Sequence, residues 1–265
     1  MGRLILAGLM ACLVLSSAAF GEKKDRWLAD PVQGAWIRPS DVLYVGDSQG
    51  LGYFGDNLYR WLSDKHDPKT GANLTVWTYW TCGSDVMSWL AGGRTVCGIR
   101  ACNGAGECAR DHGPHDGPAV VHYRPLKDYL TDIHPRLTII SLGTNFLTAH
   151  EFRYHAAWDY YLSRAQTMIK QVRAANSRCI WIGPPQPALK TRTAAEYTDF
   201  MAALREQVEA DGCTFIDSGP LSDRRYVLAR DSEGTHYTGE GEKQWSVGVW
   251  NVLAPAVDKA LTTAR

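Results

Sequence analysis

Four short stretches of this sequence hold residue types that, if brought together, can transfer an acyl group. Gly46-Asp47-Ser48-Gln49-Gly50 contains a serine hydroxyl beside a carboxylate. Thr81-Cys82-Gly83-Ser84 offers a glycine whose backbone a substrate can approach closely. Gly143-Thr144-Asn145 adds a side-chain amide. The run from Asp231 to His236 supplies an imidazole, with a carboxylate three residues ahead at Glu233 and another five ahead at Asp231. Acyl transfer needs these parts: a nucleophile, a base steadied by an acid, and donors for an oxyanion. Each stretch taken alone has an ordinary structural reading. Asp47 or Ser48 caps a helix, Gly83 makes a turn, Asn145 caps or turns, and a loop histidine is solvated. Their order along the chain and their strand context favour the chemical reading.

Five β-like runs carry that context: Asp41 to Val45, Leu74 to Tyr79, Leu137 to Leu142, Cys179 to Ile182 and Cys213 to Ile216. They are short, apolar and rich in β-branched residues, as strands buried on both faces should be. Helix-length segments with apolar spacing near 3.6 lie between or after them: Tyr53 to Leu62, Trp158 to Ala174, Ala194 to Ala210 and Glu242 to Leu261. Pro255 predicts a kink in the last of these. Such alternation predicts a three-layer α/β/α sandwich around a five-stranded parallel sheet. Ligands bind such sheets beyond the carboxyl ends of the strands. Ser48, Gly83 and Asn145 each follow a strand at that end.

In this order, Gly46-Asp47-Ser48, Gly83, Gly143-Thr144-Asn145 and the acid-x-x-His236 element resemble the four blocks of the SGNH hydrolases, the GDSL-like lipases and esterases. Ile182-Gly-Pro-Pro185 is similar to the segment after the fourth strand in many members. The resemblance extends from about Asp41 onward and implies a flavodoxin-like fold. It also implies roles: Ser48 as nucleophile, His236 as general base, and an oxyanion hole formed by the N–H groups of Ser48 and Gly83 and the Asn145 side chain. The family usually carries Asp three residues before the histidine, and this chain carries Glu233. Ser-His-Glu triads occur, so Glu233 is the expected acid and Asp231 its alternative. Asp47 is expected to shape the turn rather than to react.

The N-terminus reads as an export signal over residues 1–21. Arg3 precedes an apolar run from Leu4 to Leu15, then small residues and a charged stretch. A lipobox-like Leu9-Met10-Ala11-Cys12 is the rival reading, with too short an apolar run before it. The mature chain, residues 22–265, is expected to be one domain, secreted or periplasmic, with no membrane span. Export leaves six cysteines for disulfides. Cys179 and Cys213 each open a strand and are expected to pair. Cys82, Cys97, Cys102 and Cys108 are expected to pair among themselves and to hold an insertion over residues 82–118. Zinc is the alternative for those four, disfavoured by the lack of a CxxC pair and by export.

Lys and Arg total 28 and Asp and Glu 28, so no net charge draws the chain to nucleic acid or an anionic surface. No metal or cofactor is implied. His112, His115 and Asp116 resemble metal ligands by type, but their Gly- and Pro-containing context reads as a solvated loop. Trp77, Trp80 and Trp89 flank Gly83. Their faces either line a site for sugar rings or pack in the core. The expected function is hydrolysis of an oxygen ester through an acyl-enzyme, with a small O-acetyl group on a carbohydrate as substrate. A polysaccharide O-acetyltransferase, a lipid esterase or lysophospholipase, and a non-catalytic glycan-binding protein are the alternatives.

Overall fold

Strand β1 (Val42–Gly46) sits at the centre of the sheet, with all five residues buried. The structure, a computed structural model, describes residues 40–111, 121–188, 193–221 and 234–263. The segment 1–21 lies outside them. Parallel to β1 run β2 (Val76–Thr81) on one side and β7 (Leu137–Ser141) on the other. Outside β7 come β8 (Arg178–Ile182) and then β9 (Thr214–Ile216), both parallel. These five are the strands expected from sequence.

Two-residue periodicity decides which layer each strand residue meets. Val42 and Tyr44 pack with α1 (Tyr53–Ser63) and α7 (Gly239–Thr262) on one face. Leu43 and Val45 point to the other face, where α3 (Leu126–Ile133), α5 (His155–Ala174) and α6 (Ala194–Ala210) pack. Helices α1, α6 and α7 start where the apolar spacing predicts, within three residues. Helix α7 continues through Pro255.

The segment after β2 extends the sheet instead of standing apart from it. Following the short α2 (Val86–Ala91), β3 (Gly93–Thr95) pairs with β6 (Val121–Tyr123). Strands β4 (Ile99–Cys102) and β5 (Cys108–Asp111) form an antiparallel hairpin that adds to the edge of β2. The main sheet therefore has seven strands in the order β5-β4-β2-β1-β7-β8-β9. Disulfides Cys82–Cys97 and Cys102–Cys108 tie this segment down, and Cys179–Cys213 joins the starts of β8 and β9. The last is the pair predicted from the strand positions.

The chain leaves β1 for β2 on one side and later returns to β7 on the other. The crevice above β1 is therefore a topological switch point, where sheets of this class bind ligands.

Candidate active site

Directly after β1, a 3-10 turn over Ser48–Leu51 carries the serine. Asp47 caps it, its Oδ1 accepting the Gln49 N–H at 3.0 Å. The turn rests on Trp80: a Cβ at Gly50 would lie 2.1 Å from the indole, so only glycine lets the turn settle there. Ser48 is half-buried, and its Oγ lies 2.7 Å from Nε2 of His236. The two residues are 188 positions apart in sequence.

Two tethers hold the loop that bears His236. Gln49 Nε2 donates to the Thr235 carbonyl at 3.1 Å, linking the loop to the serine turn. The Ala188 N–H donates to the Gly234 carbonyl at 2.7 Å, linking it to the segment after β8. Asp231 and Glu233 lie outside the described residues, as do His112, His115 and Asp116.

The other two blocks meet at the same rim. Gly83 follows β2 with φ +74°, a left-handed conformation that suits glycine. It is exposed, and among the described residues its N–H has no backbone acceptor. Asn145 lies in α4 (Thr144–Thr148), after β7, and its Nδ2 donates one hydrogen to the Ser84 carbonyl at 2.8 Å. The second amide hydrogen bonds to no described residue. Ser84 binds the blocks together: its buried hydroxyl lies within hydrogen-bond reach of the Gly46 and Thr81 carbonyls and accepts from Trp89 Nε1.

Asp47 joins the first block to the third. Its Oδ2 accepts the Thr144 N–H at 3.3 Å, and the residue is 1% exposed. Burial pushes its pKa up to about 6, against the pull of the Gln49 and Thr144 donors and of His236.

The tryptophans are corrected toward the core. Trp80 and Trp89 are fully buried, and Trp77 is 8% exposed inside β2. Trp80 is wedged under the serine turn, with Tyr44 edge-on at 5.3 Å; Trp89 packs on Tyr123 and Tyr129. Fully enclosed indoles offer no face to a sugar ring.

Sequence reasoning missed three residues of this rim. Beside Ser48 and His236 is a cavity of about 210 Å³, and Gln49, Arg110 and Glu242 line it. Gln49 adjoins the serine and is a buried amide. Glu242 Oε1 accepts the Phe54 N–H at 2.8 Å, capping α1. Burial raises the Glu242 pKa, opposed by Phe54 N–H, His236 and Arg110. A glutamate four residues into a helix carries no local signal that it faces a cleft, and neither does Arg110 in a four-residue strand.

No curated protein matches this sequence. Among solved structures, a GDSL-like lipase from Bacteroides thetaiotaomicron aligns with a TM-score of 0.51 at 13% identity, covering 92% of this chain and 98% of its own. A catalytic mutant of an acetylxylan esterase from Geobacillus stearothermophilus aligns with a TM-score of 0.51 at 11% identity, covering 85% and 95%. At such identities the likeness shows a common fold. The family of GDSL-like lipases and acylhydrolases matches residues 45–244, a span that takes in all four blocks and most of the chain, and the chain belongs to that family.

Proposed function

We propose that this protein is an exported serine esterase that removes a small acyl group from a carbohydrate. The observation that carries this reading is the 2.7 Å contact between Ser48 Oγ and His236 Nε2 at the switch point of the sheet. Family membership supports a carboxylic-ester hydrolase. In the proposed reaction Ser48 Oγ attacks the ester carbonyl while His236 Nε2 takes its proton. Glu233 orients the imidazole. The N–H groups of Ser48 and Gly83 and the Asn145 amide hold the oxyanion, each donor contributing about 3 kcal/mol to the transition state. His236 then protonates the departing alcohol, and water attacks the acyl-enzyme by the same route.

The small acyl group and the polar alcohol are supported by the cavity. At about 210 Å³ it is smaller than pockets for drug-sized ligands, which run to roughly 300 Å³ and more. Its described lining mixes polar and apolar surface: Ser48, Gln49, Arg110, His236 and Glu242 supply polar groups beside Leu51 and Tyr237. A lipid esterase calls for a broad apolar surface there. Export is supported by the three disulfides and by the sequence of residues 1–21. No helix among the described residues is long and apolar enough to cross a membrane.

The test is acetate release from an acetylated xyloside compared with butyryl and long-chain esters, for wild type and Ser48→Ala. Wild type is expected to favour acetyl, and the variant to lose at least about 10⁴-fold in kcat. A phosphonate ester should label Ser48, read by mass spectrometry. A protein that folds, takes no label and releases no acetate refutes the esterase reading. Acetyl transfer to a sugar acceptor without free acetate replaces it with a transferase.

A further inference from the structure

The cavity beside Ser48 contains a cation and an anion whose positions the chemistry of the serine and histidine does not require. Arg110 reaches it from β5, and Glu242 from the first turn of α7. Each has bonding capacity left over. Arg110 is exposed, and its guanidinium makes no hydrogen bond or ion pair with a described residue. Glu242 spends Oε1 on the Phe54 N–H, and Oε2 accepts from no described residue.

The cost of keeping Arg110 there argues for a use. It stands directly opposite Arg100 in the β4–β5 ladder, and like charges at paired positions destabilise a hairpin. Arg100 is neutralised by Asp56 and lies over the Trp80 ring, 5.3 Å from its centroid. Among the described residues Arg110 has no such ion pair or ring beneath it, and the opposite charge it feels is Glu242 across the cavity. Its strand is nonetheless fixed firmly: Cys102–Cys108 closes the hairpin at a directly paired position. The Asn103 side chain holds the intervening turn by bonds from the Ala105 and Glu107 N–H groups, each at 3.0 Å. On the opposite wall, a Cβ at Gly52 would lie 2.3 Å from Glu242 Oε1, so glycine makes room for the carboxylate.

We propose that Arg110 and Glu242 form a hydroxyl-reading pair that selects a neutral polyhydroxyl alcohol, a sugar bearing free hydroxyls next to its acyl ester. This rests on the esterase reading and names the specificity of the same site. Arg110 donates to one hydroxyl oxygen, and Glu242 Oε2 accepts from another hydroxyl's hydrogen. The opposite charges cancel, so the pair suits a neutral ring better than an anionic one. A site that reads hydroxyls with buried partners rejects the analogue lacking them, because the partners are then left unpaired. Here that cost falls on the half-buried Glu242, while Arg110 adds a donor that the hydroxyl-free ring cannot use.

The experiment compares kcat/KM for acetate release from a monoacetylated methyl xyloside with that from cyclohexyl acetate, a ring ester without hydroxyls. Wild type, Arg110→Gln and Glu242→Gln are measured, each checked for folding by circular dichroism. Glutamine at 242 keeps an acceptor for the Phe54 N–H, and Arg110→Gln removes no described bond. Wild type is expected to prefer the xyloside, and each variant to lower the preference ratio about tenfold, the scale of one hydrogen bond to a charged group. Arg110→Lys should restore part of it. A ratio within twofold of wild type in both variants overturns the inference and leaves the esterase reading intact. So does a Glu242→Gln variant that slows both esters equally and shifts the pH profile, since Glu242 then acts through His236. A wild type that hydrolyses neither ester overturns the esterase reading, and the inference with it.

Discussion

Replacing Asp47 by asparagine separates what this carboxylate does for the site from what it costs the fold. The residue is 1% exposed, and burial pushes its pKa up to about 6 even though the Gln49 and Thr144 N–H groups and His236 favour the anion. An aspartate in the unfolded chain titrates near 3.9, so the shift is about two units, worth roughly 3 kcal/mol. The sign follows from linkage. Between about pH 4 and 6 the folded protein keeps a proton that the unfolded chain has released. Stability from this group is fully present below pH 4, falls by up to about 1.4 kcal/mol per pH unit through that window, and is level above it. An asparagine side chain has the same shape and no charge to bury. Its Oδ1 can still accept from Gln49, but its amide nitrogen faces the Thr144 N–H. That loss costs about 1 to 3 kcal/mol at every pH.

The expected result is therefore a difference that moves with pH. Urea unfolding of wild type and Asp47→Asn at pH 4, 5, 6, 7 and 8 gives two stability curves whose difference cancels every unaffected group. That difference should move by roughly 3 kcal/mol in favour of asparagine between pH 4 and 7, then flatten. Turnover should fall in the variant even where it is the more stable protein, because Asp47 fastens the Thr144–Asn145 backbone to the serine turn. A flat difference refutes the burial argument. A difference that moves toward the wild type as pH rises shows that the N–H donors outweigh the desolvation.

The acid of the triad is open to a paired substitution: Glu233→Ala should lower kcat far more than Asp231→Ala, by about 10⁴-fold if it acts as the triad aspartate of serine proteases does. The reverse ranking assigns Asp231. The disulfides should differ in weight with loop length, read as unfolding free energy in urea. Cys179→Ala with Cys213→Ala opens a 34-residue loop and should cost about 4 kcal/mol; Cys102→Ala with Cys108→Ala opens a 6-residue loop and should cost about 2. If β5 positions Arg110, only the second pair lowers the preference for the xyloside over cyclohexyl acetate.

The elements legible in the sequence are those whose residues answer to one rule each. β1, β7 and β8 are buried on both faces, so nearly every residue is apolar and the run stands out without partners. The Cys179–Cys213 pair followed from two such strands lying side by side. The hairpin β4–β5 was not legible, because its register depends on the edge of β2, and neither Ile99–Cys102 nor Cys108–Asp111 alternates cleanly. The tryptophans were ambiguous for a related reason. An indole beside a glycine-rich turn suits either a ligand or a wedge, and only the packing of Trp80 under Gly50 decides between them.

The site divides along the same line. The convergence of Ser48, Gly83, Asn145 and His236 as candidates was legible because each follows a strand or precedes a helix in a stretch with its own chemistry. Gln49, Ser84, Arg110 and Glu242 act through partners distant in sequence: the Thr235 carbonyl, the Gly46 carbonyl, the opposite wall of the cavity, the Phe54 N–H. Motifs therefore report the reacting groups, whose geometry the reaction fixes, and say little about the groups that choose the alcohol. In the proposed assignment those groups, Arg110 and Glu242, sit on a disulfide-closed hairpin and on the first turn of the last helix. On that assignment, substitutions in β5 and α7 should change substrate preference while the serine, the histidine and the strands that hold them stay as they are.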